Sequence, residues 1–200
     1  MSTLLLSAFA IVYLAGMVLL RKTRKGLLAY LWGAFGLAGV LIFAGQIGGW
    51  NVPLGEFQAS ILARASALIG AGLRSVPGGA LVVPDPTGWS ILQIGIECSA
   101  LIETSIFVGL LLFYPRLPAG RRLLRIAIGV LAILGINLLR LTIIAGMVAA
   151  FGKPAVPWAH AVVGRLVFFA GILYLYWRML TLPTLAAVRR DLEVTRRNAQ

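Results

Sequence analysis

The chain has 200 residues, 60% of them hydrophobic and only 12% charged, and its mean hydropathy is +0.95. A soluble domain carries about a quarter charged residues, so the composition excludes that class and indicates a single all-α, polytopic membrane domain over residues 1–200. The net charge of +12 does not point to a nucleic-acid partner, because thirteen of the eighteen Lys/Arg lie in three short clusters beside apolar runs, as membrane topology requires.

Residues 3–20 are apolar, and Arg21, Lys22, Arg24 and Lys25 follow them. A secretory signal carries its positive charge first, so an uncleaved first span with its N-terminus outside is expected. Residues 27–47, rich in Gly and Ala, return outward as a second span. Residues 48–90 contain Pro53, Pro77, Gly78, Gly79, Pro84, Asp85 and Pro86 and read as an extracytoplasmic loop. Within it, the stretch from Glu56 to Arg74 is weakly amphipathic. Arg64 near its centre disfavours a span, so an interfacial helix is expected.

A third span is expected from Ile91 to Tyr114, then a basic cytoplasmic turn from Pro115 to Arg125. A fourth runs from Ile126 to Phe151, and a short outer loop with Pro154 and Pro157 leads to a fifth from Ala159 to Met179. Residues 91–180 thus read as a three-helix catalytic core and 181–200 as a basic cytoplasmic tail. Five spans put every basic cluster on one side, with the C-terminus inside.

Cys98 and His160 are the only cysteine and histidine. A thiol, a guanidinium or an imidazole is costly in hydrocarbon, which makes Cys98, Arg140 and His160 functional candidates. Counted from the inner end of each span, they lie ~24, ~21 and ~27 Å up. In a core of ~30 Å all three reach one level in the outer third. Glu103 and Arg165 form a second polar layer at ~17 and ~20 Å. Asn137 and Arg140 share a helical face, as do His160 and Gly164, where a glycine admits close helix approach. One cysteine with a distant histidine is the minimum for thiol nucleophilic catalysis. A structural zinc site needs about four ligands, which this set does not supply, so no metal or organic cofactor is expected.

In these residues the chain resembles the exosortase/archaeosortase family of membrane-embedded cysteine transpeptidases, over about residues 89–172. The match rests on Glu97-Cys98-Ser99, Asn137-x-x-Arg140 and His160-x-x-x-Gly164-x-x-x-Phe168. Many members have about eight spans, and this chain resembles the compact variants. After Cys-Ser the common pattern continues Gly-Leu-Arg, where this chain has Ala100-Leu101-Ile102-Glu103. The resemblance implies Cys98 as nucleophile, completed by Arg140 and His160. It also implies a secreted substrate protein with a short recognition motif, one transmembrane helix and a basic end, cleaved and passed to an unknown acceptor. The expected setting is a prokaryotic plasma membrane, with lipid contacts and the site toward the extracytoplasmic face.

Blander roles stand beside these. Glu97 either orients His160 or is solvated at the mouth. Glu103 suits pairing with Arg140 or Arg165 better than acid catalysis, Arg165 reads as structural, and Ser99 suits a bond to a backbone carbonyl. The rival function is a non-enzymatic membrane scaffold or carrier subunit whose polar layers are interhelical contacts.

Overall fold

The computed structural model describes residues 2–23, 26–115 and 117–198, so Arg24, Lys25 and Arg116 of the basic clusters lie outside the described residues. Helices α1 (Ser2–Lys22) and α2 (Gly26–Ile47) are apolar on every side, as membrane solvent demands. They lie side by side, with Trp32 Nε1 donating to the Tyr13 carbonyl at 3.0 Å. Helix α2 in turn packs on α4 (Leu101–Leu112). Gly109 of α4 sits against the Ala34 carbonyl, where any Cβ would collide. Helix α5 (Ala119–Phe151) crosses behind α4, and Gly129 accepts the Phe107 ring.

The last helical run begins with α6 (Val156–Trp158) and a π-helical segment, Ala159–Gly164. It continues through α7 (Arg165–Tyr176), a second π-helical segment, Trp177–Thr181, and α8 (Leu182–Asn198). Ala159, Arg165, Trp177 and Leu182 all keep right-handed helical φ and ψ at the joints, so the pieces form one rod. Residues 181–198, read as a tail, extend this rod.

Four helical stretches among the described residues are long and apolar enough to cross a membrane: Leu4–Lys22, Gly26–Ile47, Ala119–Phe151 and Lys153–Arg190. The polytopic helical architecture expected from composition is therefore present. The third expected span differs. Its helix is α4 alone, 12 residues long and ~18 Å in rise, short of a ~30 Å core. Ile91 belongs to a strand, residues 94–95 to an irregular link and residues 96–100 to a turn. A short apolar run cannot distinguish buried strand from helix by periodicity, which is why 91–100 read as the start of a span.

Residues 48–93 are also more ordered than a loop. Helix α3 (Asn51–Leu68) starts five residues earlier than the expected Glu56. Pro53 lies in its first turn, where no backbone N–H is needed, and Gly70 and Gly72, at φ +71 and +69, stop it. Strands β1 (Arg74–Val76), β2 (Ala80–Asp85) and β3 (Gly88–Gln93) form an antiparallel sheet in the order β1-β2-β3. Its prolines and glycines are hairpin residues. Pro86 and Thr87 form a two-residue connection between Asp85 and Gly88. The Asp85 carboxylate accepts from Ser90 Oγ at 2.5 Å and Thr87 N at 2.7 Å, which holds it below the usual carboxylate range.

Two apolar cores result. One joins α3, β2 and α5 through Ala59, Leu62, Leu81, Val83, Ile144 and Val148, and includes Cys98. The other joins α4, α5 and α7 through Phe107, Leu111, Ile133, Phe168 and Leu175. The turn between β3 and α4 lies where they meet.

Candidate active site

After the link at residues 94–95 the backbone turns tightly over residues 96–100. Ile94 N donates to the Gly79 carbonyl at 2.8 Å, and Cys98 N and Ser99 N both donate to the Gly95 carbonyl, at 3.0 and 2.9 Å. Ala100 then takes φ +61 and ψ +18 before α4 begins. A left-handed non-glycine residue costs about 1–3 kcal/mol and persists only where its surroundings over-determine it. The family pattern that this segment resembles has glycine at this position. Here the alanine methyl is buried in the core around Phe107 and Ile133.

Cys98 therefore lies on the turn and not on a helix, and the depth inferred from helical rise does not apply to it. The structure nevertheless brings the three candidates together. Cys98 Sγ is 3.6 Å from Arg140 Nη2. It is 3.9 Å from Nδ1 and 3.8 Å from Nε2 of His160. The thiol is 5% exposed and Arg140 4%, while His160 is half-buried. Burial opposes a thiolate and the adjacent guanidinium favours it.

His160 is carried by the π-helical segment Ala159–Gly164, a widened turn of the kind frequent at functional sites. Gly164 lets this segment close on α5, because Ile144 Cδ1 lies 2.7 Å from where its Cβ would be. Arg140 is held from three sides. Its Nη1 donates to the Glu97 carbonyl at 3.2 Å, Nη2 points at the sulfur, and the Phe168 ring lies 5.3 Å from its guanidinium carbon, a cation–π contact.

Asn137, one turn below Arg140, donates from Nδ2 to the Cys98 carbonyl at 2.5 Å and to Gln58 Oε1 at 2.7 Å. Gln58 Nε2 donates to the Ser99 carbonyl at 2.9 Å. Both amides are fully buried. Sequence reasoning missed Gln58 because it falls in a stretch read as an interfacial helix, with no buried face assigned to it. The available signal was spacing: Gly55, Gln58, Ala59, Leu62 and Ser66 recur at helical intervals and form the buried face of α3.

The remaining candidates are placed differently. The Ser99 hydroxyl donates to the Ile96 carbonyl at 3.1 Å. Glu97 is exposed, and only its backbone carbonyl contacts Arg140. Among the described residues neither Glu97 nor Glu103 forms an ion pair with Arg140 or Arg165. Glu103 sits in the first turn of α4 with Oε2 buried and unpartnered. Glu97, Glu103, Arg140 and Arg165 instead line a 450 Å³ cleft whose other walls include Phe168, Phe169 and Ile172. The arrangement is a buried thiol with an imidazole and a fixed cation beside it, and that cation, Arg140, also lines the neighbouring cleft.

The family model described as transmembrane exosortase matches residues 1–177. No curated protein and no solved structure matches the chain.

Proposed function

Because the chain belongs to the transmembrane exosortase family, we propose that it is a membrane-embedded cysteine transpeptidase that cleaves the C-terminal sorting signal of a secreted, membrane-anchored protein. The observation that carries this reading is the convergence of the only thiol, the only imidazole and a buried guanidinium within 3.6–3.9 Å of Sγ.

In the first step Cys98 Sγ attacks the scissile carbonyl carbon and its proton passes to His160. The C–S bond forms, and Arg140 stabilises negative charge on sulfur and then on the carbonyl oxygen. The tetrahedral species collapses as the C–N bond breaks, and His160 returns the proton to the leaving amine. The leaving fragment keeps the substrate's transmembrane helix and basic end. The thioester is then opened by the acceptor, whose proton goes to His160 as the thiolate departs. The acceptor is any amine, hydroxyl or water that reaches the acyl carbon. Phe168, Phe169 and Ile172 of the cleft that Arg140 also lines support a membrane-bound substrate.

Residues 91–180 are the catalytic unit in this scheme, and the α3–sheet segment caps it on the extracytoplasmic side of a prokaryotic plasma membrane. Lys/Arg asymmetry supports that orientation. Reporter fusions at Thr23, Ala71, Gly120, Ala155 and Thr195 are expected to read inside, outside, inside, outside and inside. A cytoplasmic reading at Ala71 overturns the placement of the site at the outer face.

The catalytic test uses a secreted protein from the same genome that ends in one apolar helix and a basic tail. Expressed with this chain, it is expected to lose the tail, and intact-mass spectrometry reads the new C-terminus. A mass increment over the free carboxylate marks transfer, and its absence marks hydrolysis. A substrate that stays full length beside abundant wild-type chain counts against the reading.

A further inference from the structure

Three successive carbonyls of the nucleophile turn each accept a hydrogen bond from a buried side chain. Glu97 O takes Arg140 Nη1, Cys98 O takes Asn137 Nδ2, and Ser99 O takes Gln58 Nε2. The first two donors stand on α5, within the helical core. The third stands on α3, in the cap. Resting on the cysteine reading above, we infer that Gln58 is a positioning residue for Cys98, so that the α3–sheet cap belongs to the active site.

The direction of this network is forced. A backbone carbonyl can only accept. Cys98 O therefore requires an N–H of Asn137, and the second N–H of that amide goes to Gln58 Oε1. Gln58 is left with its own NH₂ toward Ser99 O. Turning either amide over would set oxygen against oxygen at buried positions, so neither has an alternative orientation. The thiol is thus aimed by a turn whose preceding, own and following carbonyls are all tied. The Cys98 and Ser99 ties run through one chain, from Ser99 O to Gln58, Asn137 and Cys98 O. Packing draws α3 onto the turn as well, because Gly55 leaves no room for a Cβ against the Ile94 carbonyl, 2.9 Å away.

Gln58→Leu keeps the bulk and removes both hydrogen bonds. It is expected to accumulate and to cleave the tail-bearing substrate about 10²-fold more slowly, the effect of misplacing a reacting group by roughly an ångström. Its thiol is expected to react faster with maleimide, because the loosened turn exposes a sulfur that is 5% exposed at rest. Cys98 is the only cysteine, so that rate is unambiguous and needs no substrate.

Gln58→Glu separates hydrogen bonding from packing. The neutral acid can donate to Ser99 O and accept from Asn137, whereas the carboxylate only accepts. The ratio of its cleavage rate to that of the wild type is expected to rise as pH falls. Cys98→Ala is measured in parallel: activity there defeats the cysteine reading itself. An inactive Cys98→Ala beside a Gln58→Leu that cleaves and labels at wild-type rates overturns this inference alone. If Gln58→Leu fails to accumulate, a Gln58→Glu ratio that is flat with pH overturns it.

Discussion

Cys98→Ala is expected to leave the tail-bearing substrate full length in the membrane while the variant chain accumulates normally. The side chain is small and 5% exposed, with Leu62, Val83 and Leu141 among the apolar residues of its core. Losing one sulfur leaves that core intact, so the loss is one of chemistry. Cys98→Ser is expected to be nearly as inactive. A hydroxyl ionises far less readily than a thiol and needs a strong, close base. The shorter C–O bond also leaves its oxygen no nearer an imidazole that is already 3.8 Å from sulfur. The measurement is intact-mass spectrometry of the substrate recovered with each variant. Normal cleavage in Cys98→Ala ends the transpeptidase reading and favours the non-enzymatic scaffold, in which the polar side chains serve only as contacts between helices.

The helical, membrane-spanning character of the chain was legible because hydropathy and the Lys/Arg clusters encode it directly. The grouping of Cys98, Arg140 and His160 was legible for a related reason: polar groups stand out against apolar runs. The path by which they meet was not. The depth count treated 91–114 as one helix, yet β3, the turn and α4 divide it. The turn depends on Ala100 adopting φ +61, a conformation that an alanine does not announce. Gln58 was hidden for a different reason. Its importance comes from the Ser99 carbonyl and the Asn137 amide, 41 and 79 residues away in the chain, and no local pattern reports a tertiary hydrogen bond. The sheet was missed because Pro77, Gly78, Gly79, Pro84 and Pro86 signal turns but do not say that the residues between them pair. Glu103 was expected to meet an arginine from its depth alone. Depth fixes height along the bundle, not the direction in which the side chain points.

His160→Ala is expected to lose about 10²–10⁴ of the cleavage rate, the usual contribution of a positioned general base. The loss is expected to shrink as pH rises. Without the imidazole, attack requires thiolate formed in equilibrium with solvent, and that population grows with pH until the thiol is fully ionised. Arg140→Lys is expected to fail as badly while keeping the charge, and to show no such recovery. The guanidinium reaches the Glu97 carbonyl, the sulfur and the Phe168 ring at once, and a single ammonium cannot span the three. Its loss both weakens stabilisation of the developing anion and releases a tie on the turn that aims the thiol. Raising the pH supplies thiolate and repairs neither defect. Cleavage rates for both variants across pH therefore separate a proton carrier from a group that holds geometry and charge. Recovery of Arg140→Lys at high pH would show that its role is limited to thiol ionisation, and a His160→Ala defect that stays constant with pH would remove His160 as the base.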